Sequence, residues 1–374
     1  LYIKFVLFKM LNNKKNLQKY FKSVAHKIFK IIYGNIEGKI THLDHDDISL
    51  AKVKVGNVFY EIFNCIKCSY YTDRIHDSAV IKNNKIVEGP SFQLRENTNA
   101  DCLENSVIKI GTPRIRKKIK GTVITFLTGG GGNTNYWHWM FDVLPRIKIY
   151  QDSIFSKKKI DYYLFPNLST NFQKETLDLL DISINKRLSS EFYRHFYANQ
   201  IIVPSHPYTL QNDPELDSLK IPIWLSDFLK LNFLNKSLQE SKIKKFPKKI
   251  YISRKDATSL RYIINEKEVD NALKNKGFSN LTMSDYSFKD QVALFHNAEV
   301  VIGLHGAGFA NIVFCKTGTK IIEMRSNTAG DVIKNLAISN KLIYHDISCI
   351  PKTINYNNQL GDIQINLENL KGII

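Results

Sequence analysis

Acids, cysteines and long apolar runs are all scarce in this chain of 374 residues. Asp and Glu number 35 against 53 Lys and Arg, which leaves a formal net charge of +18. An excess of that size draws a protein to anionic partners: nucleic acid, an anionic membrane face or phosphorylated substrates. Lys, Asn and Ile are abundant throughout, so part of the excess is compositional. The cysteines are Cys65, Cys68, Cys102, Cys315 and Cys349. An odd, scattered set excludes a disulfide framework and favours a reducing compartment. Cys65 and Cys68 have the spacing of half a zinc site, but no second pair accompanies them and their flanks read as a strand. No stretch reaches the ~18 apolar residues of a transmembrane helix, because Lys4 and Lys9 interrupt the first one. The N-terminus also lacks the clean apolar core and small-residue cleavage site of a signal peptide. A Walker lysine motif, a full Gly-x-Gly-x-x-Gly and a Gly-x-Ser-x-Gly elbow are missing as well.

What is present is a globular composition, 43% apolar and 11% aromatic, long enough for two α/β domains. Near the start, Leu17, Tyr20, Phe21, Val24, Ile28, Ile31 and Ile32 share one helical face, and lysines cover much of the rest. Such a helix over residues 11–33 either lies on an anionic membrane surface or packs on its own domain. Residues 36–125 read as short strands and turns, followed by a strand at Val123–Leu127, a glycine turn at 129–132 and a helix from Asn135 to Tyr150. The segment 205–217, with two prolines and many polar residues, reads as a linker. Beyond it, strands at 249–253, 280–283, 299–303, 320–324 and 342–346 alternate with helices at 220–235, 266–275, 287–297, 306–314 and 330–338. That alternation predicts a doubly wound, mostly parallel sheet. The expected division is an N-terminal helical segment, 1–35, an α/β domain, 36–210, and a second α/β domain, 211–374.

Two stretches carry chemistry. The first is Val300–Met324, where a β-branched strand meets Gly303, Gly306 and Gly308 and then a helix-compatible segment from Ala307. A strand, a glycine-rich turn and a helix start together present backbone N–H groups and a positive dipole end to an anion. His305 sits in the turn and can donate to a phosphate oxygen, and Glu323 on the next strand can accept from a ribose. The pieces suit a nucleotide diphosphate. Arg254, at the end of the strand 249–253, and Arg261 soon after can grip the same phosphates. The second stretch runs from Thr128 to Arg146. His138 and Asp142 are four residues apart and share one helical face with Asn135, while Tyr136, Trp137, Trp139, Met140, Phe141 and Leu144 cover the others. A carboxylate beside an imidazole fixes its tautomer and raises its basicity, as a general base requires. Asn135 is alternatively a helix cap. The acids around Asp44, Asp46 and Asp47 read as a solvated loop and not as a metal site.

Together these stretches resemble glycosyltransferase family 61, the inverting transferases that include capsular-polysaccharide enzymes and eukaryotic xylosyl- and N-acetylglucosaminyltransferases. The family pattern Asn-x-x-His-x-x-x-Asp then Leu-Pro-Arg is matched by Asn135, His138, Asp142 and Leu144-Pro145-Arg146. Its Tyr-x-x-Arg strand falls on Tyr251 and Arg254, its Asn-Glu pair on Asn265 and Glu266, and its Gln on Gln291. The signature His-Gly-Ala-Gly-x-x-Asn with a later Glu falls on His305, Gly306, Ala307, Gly308, Asn311 and Glu323. Phe309 stands where Leu is usual, and the first 110 residues match no family pattern.

The resemblance implies a GT-B-like α/β enzyme, two facing Rossmann-like domains with a cleft between them. A nucleotide-sugar, implied to be UDP-linked, would bind the second domain through Arg254, Gly303, His305, Gly306, Ala307, Gly308, Asn311 and Glu323. A glycan or lipid-linked glycan acceptor would bind the first, with Asn135, Arg146 and Arg261 assisting and His138 and Asp142 catalytic. No metal or other cofactor is expected, and no nucleic acid, because aromatics do not interleave with the basic clusters. A cytoplasmic protein on the inner membrane face, working on surface polysaccharide, is the expected setting. A non-catalytic glycan-binding protein and a basic nucleic-acid-binding protein are the competing classes. Intact His138, Asp142, Arg254 and His305 argue against the former.

Overall fold

The computed structural model describes residues 2–72, 77–91, 101–105, 107, 114–127, 134–208, 221–243, 245–257, 261–352 and 361–374, and the side chains of these from Lys15 onward. The glycine turn at 129–132 and most of the expected linker lie outside the described residues.

Helix α1 (Tyr2–Tyr33) opens the chain and starts earlier than the periodicity from Leu17 indicates. Leu17, Tyr20, Phe21, Ile28, Ile31 and Ile32 are exposed on it, and Val24 and Phe29 are half-buried. The helix is held at its last turn. Arg116 donates its backbone N–H to the Tyr33 hydroxyl at 2.9 Å, and the Arg116 guanidinium lies 4.6 Å from the Tyr33 ring centre. No described helix is long and apolar enough to cross a membrane.

The first sheet contains β1 (Lys39–Ile40), β2 (Ile48–Val55), β3 (Val58–Thr72), β4 (Ser78–Lys82), β5 (Lys85–Val87), β6 (Lys117–Thr125), β7 (Tyr162–Phe165), β8 (Arg187–Ser189) and β9 (His195–Pro204). Its order is β1-β5-β4-β3-β9-β6-β7-β8, with β2 on β3. Only part of it is Rossmann-like, and this corrects the expectation of two such domains. β9, β6, β7 and β8 pair in parallel, whereas β2, β3, β4, β5 and the β3–β9 pair are antiparallel. The reason is local. Asn83 and Asn84 both adopt positive φ, 49° and 58°, which is the two-residue turn that forces β4 and β5 into a hairpin. Gly56, at φ 59°, does the same between β2 and β3.

The second sheet contains β10 (Lys249–Ser253), β11 (Ser279–Thr282), β12 (Val300–Leu304), β13 (Lys320–Ser326) and β14 (Ile343–Cys349), all parallel, in the order β11-β10-β12-β13-β14. The helices between and around the sheets are α2 (Tyr136–His138), α3 (Arg146–Asp152), α4 (Asn171–Leu179), α5 (Ile223–Glu240), α6 (Glu266–Asn275), α7 (Phe288–Asn297), α8 (Val332–Ser339) and α9 (Leu367–Ile373). Ala307–Phe314, expected as α-helix, is a 3-10 segment. Val269 and Leu273 of α6 and Leu370 of α9 cover one face of the second sheet. Its other face shares one apolar cluster with the first half: Ile250, Val301 and Ile321 join Phe295, Phe228, Trp139, Phe126 and Ile62. Burial of this kind contributes roughly 25 cal/mol per Å², so the halves are tied by their own core.

Candidate active site

The strand order of the second sheet sets where a ligand goes. From β10 the chain passes to β11 on one side, and from β12 to β13 and β14 on the other. Crossover helices therefore leave a crevice at the carboxyl ends of β10 and β12. Arg254 follows β10 directly, and His305-Gly306 follow β12. A cavity of about 790 Å³ opens there, lined by Arg254, Arg261, Gly306, Ala307 and Gly308 from the second half and Asn135, Tyr136, Phe172 and Glu175 from the first.

Arg254 and Arg261 are half-buried in its wall. Burial lowers the pKa of both, and Arg261 falls to about 10 because the Arg254 charge adds to the effect of burial. Two desolvated guanidinium groups this close favour a ligand with more than one negative charge. Gly306 makes room for one of them, since a Cβ there would collide with Arg254 Nη1. The Arg254 guanidinium also donates to the His305 carbonyl at 3.3 Å.

His305 and Glu323 occupy different roles from those expected. His305 is buried beside the cavity, and its Nδ1 is hydrogen-bonded to Glu323 Oε1. Glu323 is fully buried in the middle of β13, with Oε2 accepting from the Tyr344 hydroxyl at 2.6 Å. Both carboxylate oxygens are engaged inside the protein, so Glu323 orients His305 and does not face a ribose. Gly303 and Asn311 are likewise corrected from ligand contacts to packing. Gly303 is buried in β12, where a Cβ would come within 3.1 Å of Ile252. Asn311, fully buried, accepts from the Tyr136 hydroxyl at 2.6 Å and donates to Gln291 Oε1 at 3.0 Å. This chain of bonds ties the His138 helix to the Ala307–Phe314 segment and to α7.

The His138–Asp142 face forms as the spacing indicates. Asn135 caps the helix, accepting from Trp137 N at 2.9 Å, and also lines the cavity. After α2 the chain makes a π-turn, Trp139–Val143, a local widening often found at functional sites. His138 Nδ1 lies 2.7 Å from Asp142 Oδ2. The imidazole is 43% exposed and the carboxylate 1%. An ionised carboxylate only accepts, so Nδ1 carries the proton and Nε2 is the outward lone pair. Burial pushes the His138 pKa down, but the charge of Asp142 and its hydrogen bond outweigh that and hold it above the ordinary 6.5. Burial raises the Asp142 carboxyl, and His138 and His206 outweigh it in turn, holding the pKa well below the usual carboxylate range. Neither side chain lines the cavity wall, which Asn135 and Tyr136 reach one turn earlier.

The surroundings of Asp142 were not legible in advance. Tyr208 donates its hydroxyl to Asp142 Oδ1, and His206 Nε2 lies 3.7 Å from Oδ2. Both come from the segment read as a linker. Arg146 is fully buried nearby, its pKa pushed down to about 10 by burial against the opposing pull of Asp142. A guanidinium at 0% exposure supports this cluster from within and cannot touch an acceptor. Among the described residues no three His, Cys, Asp or Glu side chains group as a metal site.

Residues 136–322 match the family model Glycosyltransferase 61, and the chain belongs to that family. It is also similar to the EGF domain-specific O-linked N-acetylglucosamine transferases of Bos taurus, at 33% identity, and Mus musculus, at 32%, over 73 residues in each case. That stretch is 18% of this chain and 14% of the relatives' own length.

Proposed function

We propose that this protein transfers a sugar from a nucleotide-sugar to a glycan acceptor with inversion at the anomeric carbon. The observation that carries the reading is the shared cavity at the switch point of β10 and β12. Arg254, Arg261 and the Gly306–Gly308 turn face it from one side, and the helix bearing an imidazole–carboxylate pair borders it from the other. The division 36–210 and 211–374, with a GT-B-like cleft between the parts, belongs to the same proposal.

The donor diphosphate lies against Arg254, Arg261 and the backbone N–H groups of 306–308, where charge developing on the leaving group meets preorganised donors. His305, held by Glu323 and Tyr344, stiffens that turn. The acceptor hydroxyl meets His138 Nε2, because both Asp142 oxygens are already engaged. The imidazole takes the hydroxyl proton as oxygen attacks the anomeric carbon, and the nucleoside diphosphate leaves from the opposite face. Asp142 stabilises the imidazolium formed. No step in this scheme uses a metal. UDP is the proposed nucleotide, with N-acetylglucosamine and xylose first in the panel because of the family resemblance. A lipid-linked or surface-polysaccharide acceptor is part of the proposal.

The proposed location is the inner membrane face. Its support is α1, whose exposed apolar side chains alternate with exposed Lys15, Lys19, Lys22, Lys27 and Lys30. Apolar surface plus positive charge suits anionic lipid.

The test is transfer or hydrolysis across a UDP-sugar panel, with the parent chain beside His138→Ala. Turnover lost in the variant is expected. Equal turnover in both removes His138 as the base, and no turnover with any nucleotide-sugar removes the reading.

A further inference from the structure

We propose that Tyr208, with His206 behind it, is a positioning residue for the base: it takes the second oxygen of Asp142 and so limits how strongly that carboxylate acts on His138 Nδ1. This rests on the transfer reading for its meaning, but not for its test.

Two donors bond one buried carboxylate, and a third N–H stands beside it. His138 takes Oδ2 at 2.7 Å, and the Tyr208 hydroxyl takes Oδ1. The third is His206, whose Nδ1 accepts from Tyr208 N at 3.4 Å and whose Nε2 therefore carries the hydrogen in the neutral ring. That N–H is buried without a hydrogen-bond partner among the described residues, 3.7 Å from Oδ2. Leaving a buried donor unpaired is costly, so its place beside the carboxylate serves the carboxylate. Burial lowers the His206 pKa and keeps it neutral. Arg146 is the remaining charge against the cluster, with Tyr70 beyond it.

Each donor to Asp142 spreads its charge and lowers its proton affinity. That tempers how far Asp142 raises His138. A base must be basic enough to take the acceptor proton and still be neutral at working pH. Tyr208 and His206 set that balance from a segment 64 to 66 residues away in sequence. Tyr208→Phe deletes the donor and keeps the ring. Asp142 then holds its negative charge more tightly against His138, and the imidazole pKa rises.

The experiment is a 1H–15N titration of the His138 imidazole in the full chain without substrate, its signals assigned by their loss in His138→Gln. Tyr208→Phe should raise the midpoint by roughly half a unit or more, and His206→Asn should shift it in the same direction. Tyr60→Phe is the control. The Tyr60 hydroxyl donates to the Pro207 carbonyl at 2.7 Å, so its loss loosens the same segment without touching Asp142. An unmoved midpoint in folded Tyr208→Phe, or an equal shift in Tyr60→Phe, overturns the proposal. If Tyr208→Phe does not fold, an unmoved His206→Asn overturns it. With active enzyme the acidic limb of kcat/KM should move in step while KM for the nucleotide-sugar stays. A shifted titration in a protein that transfers no sugar keeps the positioning and sinks the transfer reading.

Discussion

Replacing Asp142 by Asn keeps the shape of the side chain and removes its charge, which makes it the sharpest perturbation of the pair. The amide meets His138 in one of two ways. If its NH2 faces Nδ1, the imidazole must carry its proton on Nε2, and the base is blocked. If its oxygen faces Nδ1, the tautomer survives but the imidazolium has no counter-charge. Positioned general bases contribute about 10²–10⁴ in rate, so kcat/KM should fall by that order, about 2.7–5.4 kcal/mol of barrier. The pH profile adds a signature. In the parent chain Asp142 holds the His138 pKa above 6.5 against burial. The base works when neutral, so kcat/KM rises with pH through a midpoint above that value. In Asp142→Asn only burial remains, and the midpoint should drop below 6.5. Arg146 also loses the negative charge that supports it, so the melting temperature must be measured and rates taken well beneath it. A folded Asp142→Asn with near-parental kcat/KM, or with an unmoved acidic limb, refutes the assignment.

Arg254→Ala should weaken UDP binding by one to two decades in calorimetry, the loss of about 1.5–3 kcal/mol for a charged phosphate contact. Gly306→Ala should weaken it too, because the added Cβ displaces Arg254, and unchanged binding in both would remove the diphosphate site from this turn. Tyr136→Phe strips the buried Asn311 of one partner and should cost about 1–3 kcal/mol in denaturant unfolding, whereas no change would mean the bond between the halves is idle. Removing residues 1–33 should abolish co-sedimentation with phosphatidylserine vesicles and leave UDP binding intact. An unfolded product would make α1 a core element instead.

Much of the second half was legible because β-branched runs and helical periodicity are local signals. The strands 249–253 and 320–324 were placed at their starts, and β14 runs only a few residues past its expected end. The His138–Asp142 contact was legible for the same reason, being one helical turn. What failed is non-local. Nothing near Glu323 announces that His305 and Tyr344 close on it, since both reach it only through the β12–β13–β14 register. His206 and Tyr208 sit among prolines and read as linker, yet tertiary packing brings them onto Asp142. The antiparallel β3–β9 pair joins strands more than a hundred residues apart, which no window of sequence displays. The Asn83-Asn84 turn and Gly56 are the local signals of the mixed sheet, and neither shows which strands pair beyond its own hairpin.

The central claim is inverting transfer from a nucleotide-sugar with His138 as the base. The measurement closest to it is the anomeric configuration of the sugar released or transferred from a UDP-α-sugar, followed by NMR before mutarotation. The β-configured product, formed by the parent chain and not by His138→Ala, is predicted. An α-configured product would contradict the account.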